Sequence, residues 1–308
     1  MVVLRTLGKY GGLMAAGVLT TGLLTAVTAT AGQSRIMAPC TISVGSVTAG
    51  GDHRMQTFSA TAPVTKQSDK IVGKDIFADG QTGLSAAVRY GLGEGSELHT
   101  GQTVVGSVLY DFSYRTPAGG GTVSQKVLTR VGPGWQNYRS LDRSAYGSRT
   151  TEWSLRNDGT MERRTVKTDA NGHLYRHYDG WQSNFRGVKG LALISQTATY
   201  DTFLMTHSTG RLYTARFPVA GGHIMQSTVK PIRMSTWQVF ETLVSAPCGQ
   251  GSTVLAIDKD TGAGYLYSVG HANGLATVIK GLGKVPGSFT DPAYFSWRKY
   301  TDPPPAGE

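Results

Sequence analysis

The chain has 308 residues, 39% hydrophobic and 16% charged, enough to bury a sizeable core as one large domain or two small ones. Thirty lysines and arginines against twenty aspartates and glutamates give a net charge of +10. The positives are scattered, with Arg163-Arg164 and Arg298-Lys299 the only adjacent pairs, and no basic stripe or recognition motif accompanies them, which excludes specific nucleic-acid binding.

Residues 1–31 read as a secretory leader. Arg5 and Lys9 precede an apolar run from Leu13 to Val27, and Ala29-Thr30-Ala31 supplies a small-residue cleavage site, so cleavage is expected between Ala31 and Gly32. The run is diluted by Gly and Thr and falls short of the roughly 20 residues a membrane span needs. No second apolar run follows. The mature protein is expected to be secreted and extracellular, with no membrane span after cleavage. Removing Arg5 and Lys9 lowers the charge from +10 to +8, a source of solubility and weak attraction to anionic polymers. Cys40 and Cys248 are the two cysteines. In an oxidising compartment they are the one possible intrachain pair, closing a loop of roughly 200 residues that chain-entropy models value at about 5 kcal/mol.

The mature sequence is rich in Gly and Thr, and helical periodicity is nearly absent. Ser107 to Arg115 alternates, turns at PAGGG and returns over Thr122 to Val131. Trp153–Leu155 and Met161–Val166 flank Asn157-Asp158-Gly159; Phe203–Thr206 and Leu212–Phe217 flank Ser208-Thr209-Gly210; Val254–Ile257 and Tyr265–Val269 flank a turn ending near Gly262. Asp-Gly and similar dipeptides suit hairpin turns because those turns need positive φ. The fold class is all-β.

A Trp-Gln pair followed by an aromatic precedes each of the last three hairpins: Trp135-Gln136 with Tyr138, Trp181-Gln182 with Phe185, and Trp237-Gln238 with Phe240. The units so defined span 46 residues (135–180), 56 (181–236) and about 51 (237–287). Four strands per unit of this size predict the blades of a β-propeller. Residues 32–134 leave room for two further units, and 288–308 for one or two strands that close the ring against the N-terminal part. A single propeller domain over 32–308 is expected, five-bladed, with six blades the alternative.

On these residues the repeat resembles the tachylectin-like β-propellers, whose units pair a Gly-Trp-x-x-Phe-type element with a later Asp-x-Gly-x-Leu-Tyr hairpin. The matching pieces are Gly134-Trp135, Gly180-Trp181 and Thr236-Trp237, followed by Asn157 to Met161, Ser208 to Tyr213, and Gly262 to Tyr267. The resemblance covers about residues 130–290 and implies a lectin that holds N-acetylated hexosamines in pockets around the ring. Unit lengths and turns vary, so identical repeated pockets are not expected.

Trp135, Trp181 and Trp237, with Tyr175, Tyr213 and Tyr267, are the candidate ligand-binding residues, since aromatic faces stack on pyranose rings. The competing role of the tryptophans is to fill the wedge between adjacent sheets. Asp258 to Gly262 lacks the downstream Glu of a calcium loop, and His173 and His177 sit on strand rather than helix, so neither predicts a metal. Ser195 has no nucleophile elbow. Of Asp111, Glu152, Asp158, Glu162, Asp201, Glu241, Asp258 and Asp260, no spacing singles out a catalytic pair. The sequence therefore predicts a monomeric, non-catalytic, cofactor-free binder of a glycan or cell-envelope polysaccharide. The alternatives are a glycan-processing hydrolase or lyase and a structural protein-interaction propeller.

Overall fold

A computed structural model describes residues 40–171 and 173–308; the expected leader and its cleavage site lie outside the described residues. Turn residues at short intervals cut the described residues into 21 strands. They are β1 (Thr41–Val47), β2 (His53–Ser59), β3 (Thr65–Gly73), β4 (Thr82–Ser85), β5 (Val88–Gly93), β6 (Ser96–Val105), β7 (Val108–Pro117) and β8 (Ser124–Pro133). Next come β9 (Tyr138–Tyr146), β10 (Arg149–Arg156), β11 (Met161–Thr168), β12 (Leu174–Gln182), β13 (Val188–Gln196), β14 (Tyr200–His207), β15 (Leu212–Pro218) and β16 (Thr228–Arg233). The last are β17 (Thr242–Cys248), β18 (Gly251–Asp258), β19 (Ala263–Val269), β20 (Ile279–Lys284) and β21 (Ala293–Lys299). The four hairpins read from the sequence correspond to β7–β8, β10–β11, β14–β15 and β18–β19.

The fold is all-β, built from four-stranded antiparallel sheets as in a β-propeller. Strands β9–β12, β13–β16 and β17–β20 each form one such sheet in chain order. The remaining strands share a nine-stranded sheet in the order β3-β2-β1-β21-β5-β6-β7-β8, with β4 paired to β6. That large sheet is joined at its middle by a short parallel pairing, Trp297 to Val88 through Lys299 to Tyr90, between two antiparallel halves. In one half the C-terminal β21 pairs with β1, Val44 opposite Ser296. The strands that begin each group, β4, β9, β13, β17 and β21, touch one another in that cyclic order and line a central channel.

One backbone hydrogen bond recurs between neighbouring sheets. The N–H of an aromatic residue ahead of each new sheet donates to a carbonyl in a hairpin turn of the sheet before it. The pairs are Phe77 to Gly51 (3.0 Å), Trp135 to Ser107 (3.0 Å), Phe185 to Gly159 (2.9 Å), Trp237 to Gly210 (3.0 Å) and Phe289 to Gly262 (2.8 Å). All five rings are buried, between 1% and 7% exposed. At two of these turns the contact is close enough to demand glycine. At Gly51 a Cβ would stand 2.0 Å from the Phe77 carbonyl oxygen, and at Gly159 it would stand 2.3 Å from the Arg186 nitrogen. Both glycines also hold positive φ, +75° and +88°.

Apolar side chains fill the spaces between consecutive sheets. Phe203, Phe217 and Trp153 pack between β9–β12 and β13–β16, and Leu204, Trp237 and Val254 between β13–β16 and β17–β20. Ile42, Phe58 and Leu255 join β17–β20 to β1 and β2. Full burial of one such side chain stabilises the fold by about 1.5–3 kcal/mol. The Cys40–Cys248 disulfide, with 5.7 Å between Cα atoms, ties the start of β1 to the end of β17 across the same boundary.

Between the two halves of the nine-stranded sheet the core contains two histidines without accessible surface, His53 and His99. His53 Nδ1 pairs with the Tyr114 hydroxyl at 2.8 Å, and Phe77, Phe112, Phe295 and Trp297 surround its ring at 5.2–5.6 Å. His99 Nε2 pairs with the Thr116 hydroxyl at 3.0 Å and stacks on Tyr114. Burial lowers His53 to about 3, helped by the charge His99 would carry, and burial lowers His99 to about 4. Both rings stay neutral in the folded protein, whereas in the unfolded chain they take up protons near pH 6.5. Stability is therefore complete above 6.5 and falls below it, by about 1.4 kcal/mol per pH unit for each histidine. Asp142 on β9, which burial pushes up to about 6, opposes this between about 6 and about 4, where an unfolded aspartate titrates, one group against two. The urea midpoint of the disulfide-intact protein is expected to fall steadily from pH 6.5 to pH 4; a flat or rising midpoint contradicts neutral burial of the pair.

Candidate functional site

The central channel and the cleft between β8 and the sheet β9–β12 are two of the openings among the described residues. The channel has a volume of about 110 Å³, below the roughly 150 Å³ of a cavity that holds a benzene ring. Its carboxylates are occupied in holding strands together. The half-buried Asp142 carboxyl lines the channel and accepts the backbone N–H of Arg143 at 2.8 Å. Glu241 binds the Lys189 ammonium and accepts the Lys259 backbone N–H at 2.9 Å. The channel can admit water or a small ion but no pyranose ring.

The cleft encloses about 380 Å³, within the usual range of ligand sites. Its existence follows from composition. The apolar cluster between β4–β8 and β9–β12 has five buried members, Ala86, Val104, Leu109, Trp135 and Leu141, against nine to thirteen at each of the other four boundaries. Polar side chains occupy the space that apolar ones leave there.

Each wall of the cleft comes from a different strand. Trp135, in a 3-10 turn opened by Gly134 at φ +96°, packs at a tilt of 30° against Tyr138 with ring centroids 4.5 Å apart. Alternation along β11 sends Arg163 to one face, where it bonds the Pro218 and Asp179 carbonyls, and Arg164 to the other. Arg164 lies 5.7–5.8 Å from the rings of Trp135, Tyr138 and Tyr178 and donates to Ser154 Oγ (2.9 Å), the Tyr138 hydroxyl (3.1 Å) and Glu162. Burial pulls its pKa down, but Glu162, Tyr138 and Glu152 outweigh this and hold it raised. Burial, then Glu162, push the Tyr138 phenol up. From β12, Arg176 spans Glu152 (Nε to Oε2, 3.1 Å) and Asp111 (Nη2 to Oδ1, 2.5 Å). Gln102 donates to the same two carboxylates at 2.9 and 3.1 Å.

Glu152 is fully buried, yet its Oε1 accepts no hydrogen bond and has the Arg164 Nη1 at 3.6 Å as its nearest ion-pair partner. The contrast with Asp201, the buried carboxylate at the next boundary, is direct. Asp201 receives both Arg149 nitrogens (2.9 Å each), the Trp153 indole N–H (2.9 Å) and the Ser144 hydroxyl. Asp201 is a completed structural site, whereas Glu152 has an acceptor to spare at the base of an open cleft.

Of the aromatic candidates from the sequence, the cleft contains Trp135 alone. Trp237 is 5% exposed and packs on Phe240 and Tyr267. Tyr213 is buried with Phe203 and Phe217. Trp181 does not lead into a sheet. It ends β12, opposite Glu162, its side chain is exposed, and Phe185 holds the position that Trp135 and Trp237 hold elsewhere. Tyr175 is exposed on the outer strand β12. Asp158 and Asp258 cap their own turns, at Thr160 (2.9 Å) and at Asp260 and Thr261 (3.0 and 3.1 Å). His173 faces Asp169, and His177 bonds Asp179 at 2.7 Å. Among the described residues no group of three metal-ligating side chains comes together, and no helix is long and apolar enough to cross a membrane. Arg164, Arg176 and Gln102 were not selected from the sequence; the Arg163-Arg164 pair was the sole visible trace of them.

No protein-family model matches the chain, and no curated protein matches it. Among solved structures it is similar to the GH43_1 enzyme from Xanthomonas citri, with a TM-score of 0.37 and 8% identity over 64% of this chain and 74% of that one. It is also similar to the Malassezia sympodialis allergen Mala s 1, at 0.39 and 13% over 79% and 78%. A third similarity is to the periplasmic gluconolactonase of Pseudomonas aeruginosa, at 0.33 and 10% over 81% and 97%. Scores and identities this low say nothing of activity.

Removing the shared counter-ion is the direct test of the network. Arg176→Met leaves Glu152 and Asp111 without their bridging cation and is expected to destabilise the protein by about 3 kcal/mol or more in urea unfolding at pH 7. Adding Glu152→Gln to that variant is expected to recover part of the loss. A cost below about 1 kcal/mol contradicts the arrangement.

Proposed function

We propose that the chain is a secreted, tachylectin-like propeller of five blades that binds carbohydrate in the cleft between β8 and β9–β12 and carries out no catalysis there. The observation that carries this reading is the free Glu152 Oε1, a buried acceptor at the floor of a 380 Å³ cleft walled by Trp135 and Tyr138. An acceptor in that position calls for a donor, and a sugar hydroxyl or the amide N–H of an N-acetylated hexosamine supplies one while the pyranose face lies on an aromatic ring. The five recurring aromatic-to-turn hydrogen bonds support the blade count. The Cys40–Cys248 bridge supports a location outside the cytoplasm.

A second reading, a glycan-processing hydrolase or lyase, draws on Glu152 and Glu162 sharing the Arg164 guanidinium. Paired carboxylates are the usual machinery of glycoside cleavage.

Purified mature protein on a glycan array that includes chitin and peptidoglycan is expected to retain at least one glycan class. Glu152→Gln is expected to weaken that retention about tenfold, the worth of one hydrogen bond to a charged acceptor. No retention on any glycan contradicts the binding reading, and release of new reducing ends or unsaturated sugars from a retained glycan replaces it with the enzymatic one.

A further inference from the structure

Below the cleft, on the far side of the Asp111–Arg176–Glu152 network, Arg143 of β9 stands between two smaller cavities of about 290 and 180 Å³. The smaller is lined by Arg89, Arg143, Thr100, Thr150 and Tyr300, with backbone at Ala87, Gly101 and Ala145. No carboxylate lines it. Tyr300 closes one side; its hydroxyl meets Thr100 Oγ1 at 2.5 Å, and its carbonyl accepts Arg89 Nη2 at 3.2 Å.

Charge around Arg143 is unbalanced. Its backbone N–H donates to Asp142, but among the described residues its guanidinium makes no hydrogen bond and no ion pair. The acids within reach, Asp111 and Glu152, are already held by Arg176 and Gln102. Burial depresses its pKa, Asp111 and Glu152 offset this in part, and Arg176 adds repulsion. The half-buried Arg143 guanidinium has its N–H donors uncommitted to protein, and a planar fork of such donors beside hydroxyl groups is the usual cradle for an oxyanion.

We infer that Arg143, Arg89, Thr100, Thr150 and Tyr300 form a binding site for one oxyanionic group, a sulfate, phosphate or carboxylate, seated between the β4–β8 strands and β9–β12. At about 180 Å³ the cavity holds such a group with a few waters at about 30 Å³ each. The site is independent of the glycan reading, since it uses neither Glu152 Oε1 nor Trp135.

The test is thermal unfolding with sodium sulfate, sodium phosphate and sodium glucuronate, each against chloride at matched ionic strength, because sulfate and phosphate also raise stability without saturating. Wild-type protein is expected to show a saturable rise in Tm with at least one of the three. Glucuronate active and sulfate inactive identifies a carboxylate site; the reverse identifies an inorganic or sulfated ligand. Arg143→Met and Arg89→Met are each expected to weaken the apparent affinity at least about tenfold, from loss of charge-assisted hydrogen bonds. Without added anion, Arg143→Met is expected to melt close to the wild-type temperature, since it removes no side-chain hydrogen bond or ion pair among the described residues. No saturable response in the wild type overturns the site, as does a response that both variants keep.

Discussion

The ring depends on one small contact, a backbone N–H of a buried aromatic residue donated into the hairpin turn of the preceding sheet. A four-stranded sheet has two faces and an exposed outer edge, and alone it buries too little to persist. Each latch fixes the next sheet's starting point against the last one's turn, so that the apolar faces meet. The ring beside it supplies the burial, and at Gly51 and Gly159 the turn glycine supplies the room. At Asn184 and Thr236, immediately before Phe185 and Trp237, φ is +79° and +78°, the left-handed conformation that Gly134 adopts before Trp135. A β-branched residue there is strained, which indicates how strongly the latch geometry is imposed.

Once the latches set the spacing, each boundary fills with whatever side chains the facing strands present. Four boundaries fill mainly with apolar groups. The boundary between β8 and β9–β12 does not, and β10, β11 and β12 send Glu152, Arg164 and Arg176 into it. Buried charges persist there because they are mutually paired, and pairing in a rigid frame leaves gaps that are themselves specific: an unmet acceptor on Glu152 above, an unmet cation at Arg143 below. The same physics at Asp201 yields a closed network.

The sequence exposes the architecture better than the site. Hairpins around Gly159, Gly210 and Gly262 are legible because positive φ restricts the turn residue, and Trp135 and Trp237 are legible because a wedge needs a large ring. Trp181 misleads for a physical reason: the latch selects any bulky aromatic in the right place, and Phe185 serves as well as tryptophan. Phe77 and Phe289 perform the same task without a Trp-Gln pair, so their units carry no visible marker. In the site, Trp135 and Tyr138 belong to the readable element. Glu152, Arg164, Arg176 and Arg143 come from four strands with no fixed spacing, and their meeting is a product of sheet stacking that only the folded chain displays.

Native-state hydrogen exchange at the five latch amides, Phe77, Trp135, Phe185, Trp237 and Phe289, tests the central claim most directly. The account predicts that all five exchange only through global unfolding, with one shared free energy and the same dependence on denaturant. A latch amide that exchanges through a local opening, orders of magnitude faster than the others, would contradict a ring held closed by equivalent contacts.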